Sequence, residues 1–248
     1  MKKSLLLLVA AFSCISLTSQ AQMGGSGSPD FSDMTDKFFG EHTTFEAAIE
    51  VTAKAPNAPE PLVMNGRMAV LDKKTRFEMN FADTKGGGLP PNAAEQMKQM
   101  GMDRTVIISR PDRQTSYLIY PGLNAYAELP LKESGGTNSG DYQIGTLKLG
   151  VETIDGHECD KNKVSVTNKL GKVQQATVWN ARDLKNFPIQ IETEQKGNPV
   201  KMKFKGVKFE KPAAAQFDPP ADCTRYENVQ ALMQKEVMKR MMNQAAPR

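Results

Sequence analysis

The reactive side chains that most often mark a catalytic centre are scarce in this chain, which has three cysteines and two histidines in 248 residues. His157-Glu158-Cys159 sets an imidazole, a carboxylate and a thiol side by side, but no second histidine stands at helical spacing, so the zinc-protease pattern is missing. A structural zinc site takes about four ligands, and His42 and His157 lie in no ligand-spaced cluster. Gly24-Gly25-Ser26-Gly27-Ser28 lacks the second glycine placement of a nucleophile elbow. There is no phosphate-binding loop and no paired-cysteine redox motif. The residue types thus predict no catalytic residue, no metal and no cofactor, and the protein reads as a non-enzyme. A hydrolase with an unrecognised site stays open as a third reading, because scattered Asp and Glu can converge in a cleft.

Two cysteines acquire a meaning from the compartment. Lys2-Lys3 followed by the apolar run Leu5–Leu17 and Ser19-Gln20-Ala21 has the form of a signal peptide cleaved after Ala21. No later segment approaches the length of a membrane span. Lipidation at Cys14 is disfavoured by bulky Phe12 where a small residue is expected. An exported, periplasmic or secreted chain retains Cys159 and Cys223, and the even count in an oxidising compartment predicts a disulfide between them.

Charge excludes one large class of partner. Setting Lys2 and Lys3 aside leaves 30 basic against 28 acidic residues, a net charge of +2, and no clustered basic surface of the kind nucleic acids demand. Lys201, Lys203, Lys205 and Lys208 make a basic stripe, but alternation with Met202 and Phe204 reads them as the wet face of a strand. Docking of that stripe on the headgroups of an outer- or inner-membrane surface is the alternative. Methionine is the compositional oddity, with 14 in the chain. Met97, Met100 and Met102, then Met238, Met241 and Met242, suit a pliable apolar lining, thioether capture of Cu(I) or plain helix packing. The expectation here is that they are not a copper site.

The elements that must position these residues are mostly strands. Period-two alternation marks Phe45–Val51, Met64–Val70 and Phe77–Phe81, and short apolar runs mark 105–109, 116–120 and 125–129. Further strands are expected at 146–153, 157–167, 172–179, 188–195 and 199–209. Turn signals separate them at Pro111-Asp112, Pro121-Gly122, Asp155-Gly156, Leu170-Gly171-Lys172 and Gly197-Asn198-Pro199. In the last strand the apolar parity switches between Phe204 and Val207, which predicts a bulge at Gly206. Short turns between consecutive strands argue for an antiparallel meander. A helix over Asn92–Met100 starts with Asn92 and Glu95 at capping-box spacing and stops at Gly101. A second is expected from Thr224, with Glu227 in the capping-box position and Tyr226, Val229, Met233 and Val237 as its stripe.

An antiparallel sheet that is apolar on one face must cover that face, and two helices cannot cover a flat sheet of this size. The sequence therefore predicts a mainly β, α+β fold: a strongly curved antiparallel sheet, nearly a barrel, with helices on its concave side. Its boundaries are a signal peptide at 1–21, a Gly/Ser-rich tether at 22–34, one domain at 35–243 including the C-terminal helix, and a frayed tail at 244–248.

Several stretches resemble secreted bacterial proteins of a domain-of-unknown-function family. They are Ile108-Ser109-Arg110-Pro111-Asp112, Tyr117-Leu118-Ile119-Tyr120-Pro121 and Ala125-Tyr126. Gly150-Val151-Glu152-Thr153, Asp155-Gly156-His157-Glu158-Cys159, and Val178-Trp179-Asn180-Ala181-Arg182-Asp183-Leu184 with Phe187-Pro188-Ile189 fit the same pattern. That family is similar in fold to the periplasmic lipoprotein carrier LolA and to LppX-type lipid carriers. The resemblance implies a half-barrel with a helical lid over an apolar cavity, and carriage of lipid or lipoprotein acyl chains. The lining expected from strand parity is Ile49, Val51, Met68, Phe77, Met79 and Phe81, with Met97 and Met100 facing down from the lid. Gly86-Gly87-Gly88 and Gly101 are its expected hinges. The alternative is an envelope structural or interaction protein whose core is simply packed.

Overall fold

The computed structural model describes residues 38–245 apart from 55–57, 88–89, 91, 132–142, 168–170, 172 and 196. The expected signal peptide, the tether, Cys14, Gly88, two residues of the Leu170-Gly171-Lys172 turn and the end of the tail lie outside the described residues. Twelve strands form one sheet. In chain order they are β1 (Thr44–Ala53), β2 (Leu62–Leu71), β3 (Lys74–Lys85), β4 (Arg104–Arg110), β5 (Thr115–Tyr120), β6 (Ala125–Pro130), β7 (Gln143–Ile154), β8 (His157–Thr167), β9 (Val173–Ala181), β10 (Phe187–Gln195), β11 (Asn198–Lys208) and β12 (Thr224–Tyr226). Their order across the sheet is β12-β6-β5-β4-β3-β2-β1-β11-β10-β9-β8-β7. Two meanders, β1 to β6 and β7 to β11, are thus joined by the antiparallel pairing of β1 with β11.

The two ends of the order, β12 and β7, do not pair, so the sheet is unclosed. It is nonetheless curled. Laid flat, β6 and β7 would stand ten interstrand spacings apart, about 48 Å at roughly 4.8 Å each. Residues 131–142 alone connect Pro130 to Gln143, a reach of about 45 Å even when fully extended. Strand twist supplies the sense of the curl, and bulges sharpen it. One extra residue on β11 opposite Glu46–Ala48 places Gly206 at φ 58°, the bulge that the parity switch predicts. A second extra residue falls between Pro188 and Gln190 on β10.

Helix α1 (Ala93–Gln99) occupies the predicted span, with Asn92 at its N-cap but without the side-chain bond of a capping box. It ends in a Schellman arrangement: the amides of Gly101 and Met102 donate to the carbonyls of Lys98 and Met97, at 2.9 and 2.8 Å, with Gly101 at φ 71°. The C-terminal helix departs from expectation. Thr224–Tyr226 is a three-residue strand parallel to β6, and Asn228, not Thr224, caps the helix through Oδ1 and the Ala231 amide at 2.8 Å. The helix runs as α2 (Val229–Leu232), a π segment (Met233–Val237) and α3 (Met238–Ala245).

Both faces of the β2–β6 end are covered. On the inner face Leu118, Tyr120, Ala125 and Ala127 pack under Leu232, with Met102, Tyr226, Val229 and Met233 around them. On the outer face Ala69, Leu71, Val106, Ile108 and Ile119 pack under Phe217. The segment bearing Phe217 is held by Arg110, only 6% exposed. Its guanidinium forks onto Asp112 with two bonds of 2.9 Å and donates to the Phe217 carbonyl at 3.1 Å and to the Asp218 carboxylate. This charge cluster holds the Asp112 carboxyl down at about 2.

The disulfide is not formed. Cys159 and Cys223 are both free. Cys159 lies on β8 and is fully buried, whereas Cys223 precedes β12, ten positions away in the strand order. Burial pushes both thiols up from their usual value. Alkylation of the unfolded, unreduced mature protein, without Cys14, will add two labels, and in the folded protein Cys223 will label ahead of Cys159. A mass that alkylation leaves unchanged until reductant is added would contradict this.

Candidate ligand-binding face

The strand pairing puts the sequence-predicted lining on one face. Met68 stands between Ala47 and Phe77, and Gly66 between Ile49 and Met79, while Val51 faces Met64 on one side and Met202 on the other. Ile49, Val51, Met68 and Met79 are buried, at 2 to 5% exposure, and Phe77 and Phe81 pack half-buried against the same cluster. Met97 and Met100 sit half-buried on α1, outside that cluster. The structure therefore joins the six strand residues and leaves the two helix residues beside them.

Partly buried residues fringe this inner face at both ends. At one end it is sealed by aromatic rings: Phe187 lies within 5.8 Å, centroid to centroid, of Phe39, Phe45, Phe204 and Phe209, and His42 packs on Phe187 and Phe209. Burial lowers the His42 pKa. At the other end Leu62, Phe81, Val164 and Val200 are partly buried beside buried Met64 and Val166, and Ile154, Leu184, Val207 and Phe209 are partly buried at the aromatic end. At the sheet edge β7 carries large apolar side chains in the open: Ile144, opposite Val166, is 48% exposed, and Leu147, opposite Lys163 on the other face from Val164, is 61% exposed.

Helix α1 is fastened and not loosely hinged. Gly101 and Gly122 approach so closely that a methyl group on Gly122 would stand 2.6 Å from the Gly101 carbonyl oxygen. Arg240 of α3 donates to the Gln99 carbonyl at 3.0 Å and to the Gly122 carbonyl, tying the C-terminal helix, the end of α1 and the β5–β6 turn together. Gly86, expected as a hinge, packs on the Pro61 carbonyl, and the Gly87 amide donates to Glu60. Beside this junction lies a cleft of about 410 Å³ lined by Asn80, Ala82, Lys98, Asp103, Arg104, Pro121 and Gly122. Arg240 escapes the sequence reading, because its bonds run to residues more than 100 positions away.

The remaining candidates resolve into structure. Trp179 is a buried anchor whose indole Nε1 donates to Glu152 at 2.7 Å, reaching across β8 to hold β7, with the Lys161 ammonium 4.9 Å from its ring centroid. Lys161 and then Trp179 hold the Glu152 carboxyl below its usual range. His157 Nδ1 meets Asp183 at 2.7 Å, and no group of three His, Cys, Asp or Glu among the described residues could hold a metal ion. Lys201, Lys203 and Lys205 pair with Glu192, Asp155 and Glu50 at 3.0, 3.2 and 2.8 Å, so the basic stripe is a ladder of ion pairs on a solvated strand face. Met102 and Met233 pack into the helix-covered cluster, while Met238 and Met242 are exposed. No described helix is long and apolar enough to cross a membrane.

A mainly β chain with one curled, unclosed twelve-stranded sheet and few helices is the class of fold this geometry defines. Residues 67–187 match the model of the family described as Domain of unknown function (DUF4412), which bears out the family resemblance carried by the motifs. No curated protein matches the chain. Among solved structures the chain is similar to the lipoprotein LppX of Mycobacterium tuberculosis, at 11% identity over 69% of this chain and 88% of that one, with a TM-score of 0.39. It is similar to a LolA superfamily protein of Nitrosomonas europaea at 12% identity over 74% and 93%, TM-score 0.36. It is also similar to LprF of Mycobacterium bovis at 13% identity over 77% and 100%, TM-score 0.37.

Proposed function

We propose that this is a non-catalytic lipid-binding protein of the cell envelope, which holds an acyl chain of a lipid or lipoprotein against the inner face of its sheet. The chain enters from the end bounded by Leu62, Phe81, Val164 and Val200, and Met97 and Met100 on the fixed helix α1 flank it. The observation that supports this most is a single apolar cluster, packed by phenylalanines at one end, on the inner face of a curled and unclosed sheet. Burying each methylene of a chain stabilises the complex by about 0.8 kcal/mol, which for a long chain exceeds the cost of ordering it. Flexible Met64, Met68, Met79 and Met202 suit a ligand without fixed shape. The expected signal peptide supports the envelope location.

A second reading has its own support. Ile49, Val51, Met68 and Met79 are already buried by protein neighbours, as in an envelope structural protein with a filled core. Mass spectrometry of an organic extract of protein purified from its native envelope separates the two. The lipid-binding reading expects stoichiometric acyl chains in the extract, and an extract free of them favours the filled core.

A further inference from the structure

We propose that the C-terminal helix docks reversibly on the surface of an anionic lipid bilayer. This goes beyond the acyl-chain reading and does not depend on it. The helix changes character along its length. Its first part is ordinary: Leu232 is buried over the inner face of β5 and β6, with Val229 and Met233 packed around it. The part beyond the π segment is reversed. Its inward group is charged, since the Arg240 guanidinium donates to the Gln99 and Gly122 carbonyls. One turn earlier the Glu236 carboxylate accepts the Tyr226 hydroxyl at 2.5 Å. The apolar side chains stand outside, with Met238 54% and Met242 70% exposed. A helix whose outer side faces only water has the opposite pattern.

Charge indicates what covers this face. Met238, Lys239 and Met242 fall within an arc of about 100° on α3, and Lys235 stands one turn earlier. Both lysines are exposed, and neither makes an ion pair among the described residues. Lys235 only lies over the Tyr226 ring, 5.9 Å from its centroid. The basic stripe of β11, by contrast, is spent on Glu192, Asp155 and Glu50. The nearby acids do not cancel the two charges. Glu236 is engaged with Tyr226, and Glu95 of α1 is balanced by Lys98 on the same helix. Glu227 precedes Lys235 by about two turns, roughly 12 Å along the axis. Two cations flanking two thioethers make the outer face of an interfacial helix. A protein partner fits less well. Helix α3 is about 12 Å long, and its two methionines fall far short of the roughly 1,200 Å² that a stable protein interface buries. A fluid bilayer surface needs no shaped counterpart, and methionine adapts to it.

The test is flotation of the mature protein with phosphatidylcholine vesicles, made with and without phosphatidylglycerol, at low and high salt. Wild type should float with the anionic vesicles at low salt, stay behind with pure phosphatidylcholine, and be released as salt screens the lysines. The Lys235→Gln, Lys239→Gln double variant should bind about thirtyfold more weakly, the equivalent of about 2 kcal/mol for two surface lysines. The Met238→Ser, Met242→Ser double variant should bind about tenfold more weakly. All four positions are exposed, so both variants should keep their circular dichroism. Phe81→Asp, altered on the inner face, should float as wild type does. Failure of wild type to float with anionic vesicles overturns the docking and leaves the face to a protein partner. Unchanged flotation of both helix variants overturns it too. If, in addition, Phe81→Asp no longer floats, the protein associates by taking lipid into the sheet, and the acyl-chain reading stands alone. Flotation that depends on the helix residues, without fatty-acid binding, keeps the docking and sinks the acyl-chain reading.

Discussion

Replacing Phe187 with alanine will lower the unfolding free energy by about 3–5 kcal/mol, the usual range for a large aromatic removed from a packed core. Phe187 is fully buried at the start of β10, and its ring contacts Phe45 of β1, Phe204 of β11 and Phe39 ahead of the first strand. It sits where β10 bends at its bulge and β11 bends at Gly206, so local collapse cannot refill the space without moving two strands. Denaturant titration followed by circular dichroism checks it, read as a midpoint shift with unchanged slope. Loss of less than 1 kcal/mol would show that the phenylalanine cluster does not seal that end of the sheet.

Gly66→Ala will cost about 1–3 kcal/mol, the range for overpacking a core. Gly66 lies on β2 between Ile49 and Met79 on the inner face. A methyl group there would stand 2.2 Å from the Glu78 carbonyl oxygen and 2.8 Å from the Met79 sulfur. The thioether can swing away, but the carbonyl belongs to the paired backbone of β3. Shortening Met79 to alanine in the same chain should therefore fail to restore the lost stability. Recovery in that double variant would mean that side-chain crowding alone keeps Gly66 small. Thermal unfolding of the two variants and the wild type settles the point.

The strand faces are legible in the sequence because period-two alternation reports directly which side chains are covered. Ile49 and Val51, and Phe77, Met79 and Phe81, fall on the inner face for that reason, and Gly206 is readable because the apolar parity flips across it. Strand β12 is not legible. Three residues carry no period, and Tyr226, which packs beneath the C-terminal helix, reads as the first position of its stripe. The pairing of β1 with β11 is equally hidden, since no short turn announces it. A count of cysteines carries no distance, which is why Cys159 and Cys223 suggest a bridge that the strand order keeps apart. Arg110 enters the sequence reading only as part of a family motif, and its partner Asp218 lies 108 residues away. The same separation conceals Arg240 and, with it, the anchoring of α1.

The pH dependence of the outer-face cluster carries a definite sign. The Arg110 guanidinium lowers Asp112 from its ordinary carboxylate value to about 2. Its stabilising pairing is therefore present above the unfolded-state value near 4 and fades as pH falls through about 2. The cover that Phe217 makes over β2, β4 and β5 should loosen in that window, well away from the inner face.

The acyl-chain account stands or falls on equilibrium titration of the mature protein with a fluorescent fatty acid, alongside Phe81→Asp and Val164→Lys variants verified as folded by circular dichroism. Both positions are half-buried on the inner face, so each places a charge beside the proposed chain. The account predicts saturable, one-to-one binding by the wild type and at least about tenfold weaker binding by each variant, since a charge facing an acyl chain loses its solvation. Absence of saturable binding by the wild type, or equal binding by the folded variants, would contradict it and leave the sheet as a filled structural core.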